Sequence, residues 1–142
     1  MPTALEDQDA VRELLAEYCF RLDECRLDEF GALFTETAEW GPKRIPRKAR
    51  GPREIAELAR SIVPVKGEGS ARRHLTANVV VRLSGDEARV KSNFLMVRES
   101  EAGPLFAIAG THEDHVVRTR GGWRFRAREI HNDVTGEPGL KR

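Results

Sequence analysis

Four histidines and a single tyrosine are the side chains of this 142-residue chain best suited to moving protons near neutral pH. The densest group of potential ligands is His112-Glu113-Asp114-His115. On a strand, His112 and Asp114 face one way and Glu113 and His115 the other, so the four cannot meet on one ion without a bulge. No metal is therefore expected, and His112 can pair with Asp114 along one strand face. Cys19 and Cys25 match no metal spacing and are too few for a disulfide framework. They read as reduced thiols of a cytoplasmic protein, with Cys19 packed in the core. His74 opens a strand on the side opposite its apolar residues. Tyr18 lies on the apolar stripe of a helix, and Asp23 at that stripe's edge, about 110° from its centre at ~100° per residue. By type, a histidine can take a proton from carbon or oxygen and return it elsewhere. A carboxylate can fix its tautomer, and a tyrosine can donate to a developing oxyanion. The residues alone leave blander roles open: Tyr18 packed in the core, Asp23 capping the next helix, His74 facing solvent.

The elements that must position these groups follow from periodicity. Val11, Leu14, Leu15, Tyr18, Cys19 and Leu22 recur at helical steps and predict a helix over 8–23. Leu27, Phe30, Leu33 and Phe34 repeat the pattern over 27–34, with Asp28 as its cap. A short strand, 37–40, ends at Gly41-Pro42. A third helix begins at Pro52, buries Ile55, Leu58, Ala59 and Ile62, and stops before Pro64. From Leu75 to Leu83 the apolar residues fall on odd positions, with His74, Thr76 and Asn78 on the other face. Turns at 84–87, 101–104 and 120–122 join this strand to three more, spanning 88–99, 106–118 and 123–130. Helices first and strands after predict an α+β fold with an antiparallel sheet, in a single domain spanning 1–142.

Charge is balanced, 24 basic against 23 acidic residues, which argues against a nucleic-acid partner. The N-terminus is acidic and lacks a long apolar run, so neither a signal peptide nor a membrane partner is expected. The stretch 41–53 carries six basic residues and no acid. It reads as a solvated loop, or as a rim that attracts an anionic substrate. Arg118, Arg120, Arg124 and Arg126 add to that field or decorate the outer sheet.

Three segments carry a resemblance: YCFRLDECRLDEFGALFTETAEW, RRHLTANVVV and AGTHEDHVVRTRGGWRFRAREI. Together they resemble the SnoaL-like family of the nuclear transport factor 2-like superfamily over roughly residues 5–132. The resemblance implies a cone-shaped half-open barrel, a curved antiparallel sheet wrapped around three N-terminal helices. Several lyases of this superfamily, the bile-acid 7α-dehydratase and dehydrochlorinase types among them, share a tyrosine, an aspartate five residues on, a histidine opening the next long strand and an arginine on the last strand; the scytalone dehydratase type is similar in using two histidines. The matching positions are Tyr18, Asp23, His74 and Arg128. His112 replaces the family's usual aromatic and is similar to a second pocket histidine. The aspartate of the superfamily's ketosteroid isomerases has no match in Glu39-Trp40-Gly41-Pro42, where Trp40 rather than Glu39 is expected to face inward.

The implied function is a cofactor-independent lyase (dehydratase) or isomerase on a small hydrophobic substrate, polycyclic or anionic. His74 is then the base, Asp23 orients it, and Tyr18 and Arg128 stabilise substrate charge. Trp40, Phe20, Asn78, Phe94, Met96 and His112 are the expected substrate-binding residues. Fold alone leaves two alternatives: a non-catalytic small-molecule-binding domain, and the small structural subunit of a ring-hydroxylating dioxygenase. A homo-oligomer is expected, because Leu75, Ala77, Val79, Val81 and Leu83 would otherwise leave a large apolar sheet face wet.

Overall fold

Thr3 starts the first helix with a reciprocal cap. Its hydroxyl accepts from the Glu6 amide at 3.2 Å, and the Glu6 carboxylate accepts from the Thr3 amide at 2.7 Å. Helix α1 (Ala4–Asp23) thus begins four residues before its expected start, and it buries the six apolar residues expected of it. The structure, a computed structural model, describes residues 1–42, 45–64 and 71–134. The remaining elements are α2 (Leu27–Gly31), β1 (Phe34–Trp40), β2 (Ala49–Arg50), α3 (Gly51–Ile62), β3 (Arg72–Ser84), β4 (Glu87–Arg98), β5 (Leu105–Thr119) and β6 (Gly122–Val134). The strands form one curved, unclosed six-stranded sheet in the order β2-β1-β6-β5-β4-β3. The hairpins are antiparallel as expected, whereas β1 joins β6 in parallel.

Local departures from the expected elements have tertiary causes. The helical spacing of Leu33 and Phe34 does not extend α2. The Leu33 carbonyl accepts from the Phe125 amide at 2.9 Å, and the chain enters β1 three residues early. Asp28 does not cap α2, whose N-cap is Arg26 without a side-chain bond; Asp28 instead accepts from Arg60 at 3.2 Å. Gly31 lets α2 press on α3, since a Cβ there would lie 2.3 Å from the Pro52 carbonyl oxygen. Two residues of the expected 41–53 loop pair with β1 as β2.

The largest correction concerns β3. Asn78 takes a left-handed conformation (φ 57°), and the register with β4 shifts between Ala77 and Val80. This bulge reverses the alternation. Before it, Arg72, His74 and Thr76 face the barrel interior and Leu75 and Ala77 face out. After it, Val79, Val81 and Leu83 turn inward onto the core. No continuous odd-numbered apolar face therefore exists on the outside, and that argument for an oligomer falls away.

The core under the barrel is aromatic. Tyr18 packs against Phe30 with ring centroids 5.0 Å apart, Phe30 against Trp40 at 5.2 Å, and Phe34 against Phe125 at 5.2 Å. At the far end Arg118 grips buried Asp7 through two hydrogen bonds of 2.8 and 2.7 Å, and the Trp123 indole donates to the same carboxylate at 3.2 Å. Arg118 therefore anchors α1 to the β5–β6 hairpin rather than decorating the outer sheet, and its guanidinium holds the Asp7 carboxyl below the usual range. No helix among the described residues is long and apolar enough to cross a membrane.

Candidate functional site

Asp23 is the last residue of α1, and His74 lies near the start of β3. The Asp23 carboxylate accepts from the His74 backbone amide through one oxygen and bonds the His74 Nδ1 through the other, both at 2.6 Å. A group with two such partners in the same residue is held in one orientation, and so is the ring it binds. The Asp23 side chain is 3% exposed and that of His74 15%. When Nδ1–H donates to the carboxylate, a neutral imidazole has its lone pair on Nε2. The site thus has a buried carboxylate, an oriented imidazole and a nitrogen left to accept a proton.

Next to His74 lies a cavity of about 190 Å³. Tyr18, Trp40, His74, Phe94, Met96 and His112 all line it. The inward parity of β4 places Phe94 and Met96 there together, and Trp40 faces in while Glu39 faces out beside Arg50, as their alternation predicts. The Tyr18 hydroxyl accepts from the Trp40 indole at 3.0 Å, which leaves its own proton available. Burial pushes its pKa up to about 12, so it remains a donor at working pH. His112 is 3% exposed and stacks on Phe94 with ring centroids 4.3 Å apart and planes 7° off parallel. Burial, then the Arg128 charge, hold it far below the ordinary histidine range, so it is neutral. Among the described residues its Nδ1 has no partner.

Three expected site residues sit elsewhere. Arg128 is buried behind Tyr18 rather than on the cavity wall. Its Nε and one Nη donate to Asp114 at 2.7 and 2.9 Å, and its guanidinium carbon lies 4.2 Å from the Tyr18 ring centroid. Asp114 and Arg128 are directly opposite in the β5–β6 ladder, which is why this aspartate pairs with Arg128 and not with His112. The remaining Nη1 has no partner among the described residues. Phe20 is 55% exposed, because two helical residues beyond Tyr18 is nearly the opposite side of α1; it borders a groove on the outside. Asn78 occupies the bulge, is exposed, and accepts from the Asn93 side chain at 3.1 Å.

Other expectations resolve locally. Cys19 is buried with its thiol 3.4 Å from the Thr76 hydroxyl, and burial raises its pKa, the behaviour of a core thiol. Within the 41–53 stretch, Lys43 and Arg44 lie outside the described residues, and Lys48 is turned inward, donating to the carbonyls of Gly41 at 3.0 Å and Pro42 at 2.9 Å. Its charge closes the loop instead of facing an incoming anion. Among the described residues, Glu113, Glu129 and His131 bring three potential ligand atoms within 4.8 Å of one another, but on the exposed outer face, away from the cavity. Sequence reasoning missed Arg72, which lines the cavity two residues before His74 on the same strand face. That spacing was the available signal.

The chain matches the SnoaL-like domain model over residues 3–129. It belongs to the SnoaL-like family. Aln2 from a Streptomyces species is similar to this SnoaL-like chain at 25% identity and TM-score 0.79, covering 94% of each chain. A candidate scytalone dehydratase from Novosphingobium aromaticivorans aligns at 26% identity and TM-score 0.75, over 92% of this chain and 87% of that one. A nuclear transport factor 2-like protein with a cystatin-like fold from the same organism aligns at 23% identity and TM-score 0.78, over 97% and 91% respectively, and agrees in fold. No curated protein matches significantly. The SnoaL-like fold and these neighbours support a small-molecule-binding or lyase-like domain.

Proposed function

We propose that the chain is a cofactor-independent lyase of the dehydratase kind, or an isomerase, acting by His74–Asp23 acid–base chemistry. The observation that carries this reading is the imidazole clamped by Asp23 at 2.6 Å, on the wall of a cavity that Tyr18 also lines. His74 Nε2 takes a proton from carbon next to a substrate carbonyl. The C–H electron pair moves toward the carbonyl oxygen, to which Tyr18 donates a hydrogen bond. Asp23 stabilises the imidazolium formed. The imidazolium then gives its proton to a hydroxyl leaving from the next carbon, so water departs and a C=C bond forms. Returning the proton to another carbon instead gives isomerisation. Arg128 acts through Tyr18, beneath whose ring it lies, and the neutral His112 offers a further polar contact.

The cavity is smaller than the ~300–1,000 Å³ of drug-sized sites, which favours a substrate of one or two rings over a larger polycycle. The likeness to a candidate scytalone dehydratase supports the dehydratase direction. A suitable test substrate is a bicyclic β-hydroxy ketone, 3-hydroxy-1-tetralone, whose loss of water yields 1-naphthol and is followed by absorbance. The native chain is expected to accelerate this loss. His74→Gln should abolish it, and Asp23→Asn should lower kcat roughly 10²–10⁴-fold, since the neutral amide misorients the ring. Unaltered turnover in His74→Gln contradicts the proposal. Withdrawal of Arg128 from the cavity favours a second reading, a binding domain without turnover, and the same assay separates the two.

A further inference from the structure

The cavity has a charged edge that the proton-transfer chemistry does not use. Arg72 lines it on the same strand face as His74, two residues away, or roughly 7 Å along β3. The Arg72 Nε is buried and, among the described residues, has no hydrogen-bond partner. Directly opposite Arg72 in the β3–β4 ladder stands Arg98. Like charges in that position repel. Among the described residues neither arginine has a carboxylate within ion-pair distance, while the neighbouring acid, Glu99, turns one oxygen onto the Ala71 amide at 2.7 Å. Beyond Arg72 the surface opens into a second depression of about 430 Å³, lined by Arg72, Arg73 and Arg98 among others. Arg72 belongs to both hollows.

We infer that Arg72, supported by Arg98, is a specificity-determining residue that receives a carboxylate carried by the substrate, holding it so that the apolar ring lies in the cavity next to His74. The ligand class is an aromatic or alicyclic ring bearing an anionic group. Two repelling guanidinium groups gain an external partner, and a buried donor gains the acceptor it lacks. The inference rests on the reading of this cavity as the substrate site, and it assigns the anion preference to β3 and β4 rather than to the 41–53 loop, whose Lys48 is already engaged.

The test is a binding comparison that needs no turnover, so it stands apart from the lyase assay. Calorimetric titration of the full chain with 2-naphthoate and with its neutral isostere 2-naphthamide gives a ratio of affinities. The expected result is at least tenfold preference for naphthoate in the native chain, loss of that preference in Arg72→Gln, and a partial loss in Arg98→Gln. Naphthamide should bind Arg72→Gln within twofold of the native value, which also reports an intact cavity. A preference retained in Arg72→Gln, equal affinities in the native chain, equal weakening of both probes by the substitution, or binding of neither probe to the native chain overturns the inference. Failure of the native chain to dehydrate the hydroxy ketone while this preference holds would remove the lyase reading alone.

Discussion

Replacing His112 by phenylalanine changes how stability responds to acid, by an amount set by one buried ring. His112 is 3% exposed, stacked on Phe94 and faced by the Arg128 charge, and among the described residues its Nδ1 has no partner to share a second proton. Its folded pKa lies below the ordinary value of 6.5, with burial the first cause and Arg128 the second. Below about pH 6.5 the unfolded chain therefore binds a proton at this residue that the folded chain refuses. Stability from the neutral ring is complete above that pH and is lost as pH falls, at about 1.4 kcal/mol per unit. At pH 4.5, about two units down, the loss is about 2.7 kcal/mol. His112→Phe keeps the stack on Phe94, removes the titration, and grows toward an existing cavity, so its effect at pH 8 should be small by comparison. Urea unfolding followed by far-UV circular dichroism at pH 8.0, 6.5, 5.5 and 4.5 yields both curves. The variant should gain about 2.7 kcal/mol on the native chain between pH 8.0 and 4.5. Parallel curves would mean that folded His112 takes up a proton in this range, and would refute its assignment as a neutral cavity residue.

Two further outcomes test the frame. Gly110→Ala should destabilise by about 1–3 kcal/mol, read by the same unfolding assay, because a Cβ there would sit on the His131 carbonyl oxygen where β5 and β6 shift register. The chain should self-associate through the outer groove between α1 and β3, where Phe20 is 55% and Leu75 50% exposed. Light scattering should return a multiple of 16.0 kDa, which Leu75→Glu should reduce, whereas a monomeric native chain contradicts this.

Period-based reasoning reached those parts of the fold where local and tertiary preferences agree. The stripe from Val11 to Leu22 buries as its spacing predicts, and the hairpin turns fall where glycine and charged residues cluster. It failed where one residue changes the count. Asn78 is an ordinary strand position by pattern, yet its left-handed backbone reverses the faces of β3, moving Asn78 itself to the outside and turning Val79, Val81 and Leu83 into the core. It failed too where long-range pairing decides. Leu33 and Phe34 keep helical spacing but are claimed by β6, and the alignment of Asp114 with Arg128 depends on a ladder register that periodicity does not supply. The candidate site was legible through resemblance at Tyr18, Asp23, His74 and His112 and through alternation at Trp40, whereas the face of β4 that brings Phe94 and Met96 to the cavity wall was not settled by the sequence pattern. Arg72 escaped notice because a charged residue beside a strand start is ordinarily solvated, and only the shared face with His74 marks it.

The lyase and isomerase readings share one step, the removal by His74 of a proton from carbon beside a carbonyl. Exchange of the C2 hydrogens of 1-tetralone in D2O, followed by proton NMR, isolates that step from any leaving group. The native chain should exchange them well above the buffer rate, and His74→Gln should return exchange to that rate. Exchange by His74→Gln as fast as by the native chain, or none above buffer in the native chain, would contradict His74 as the base.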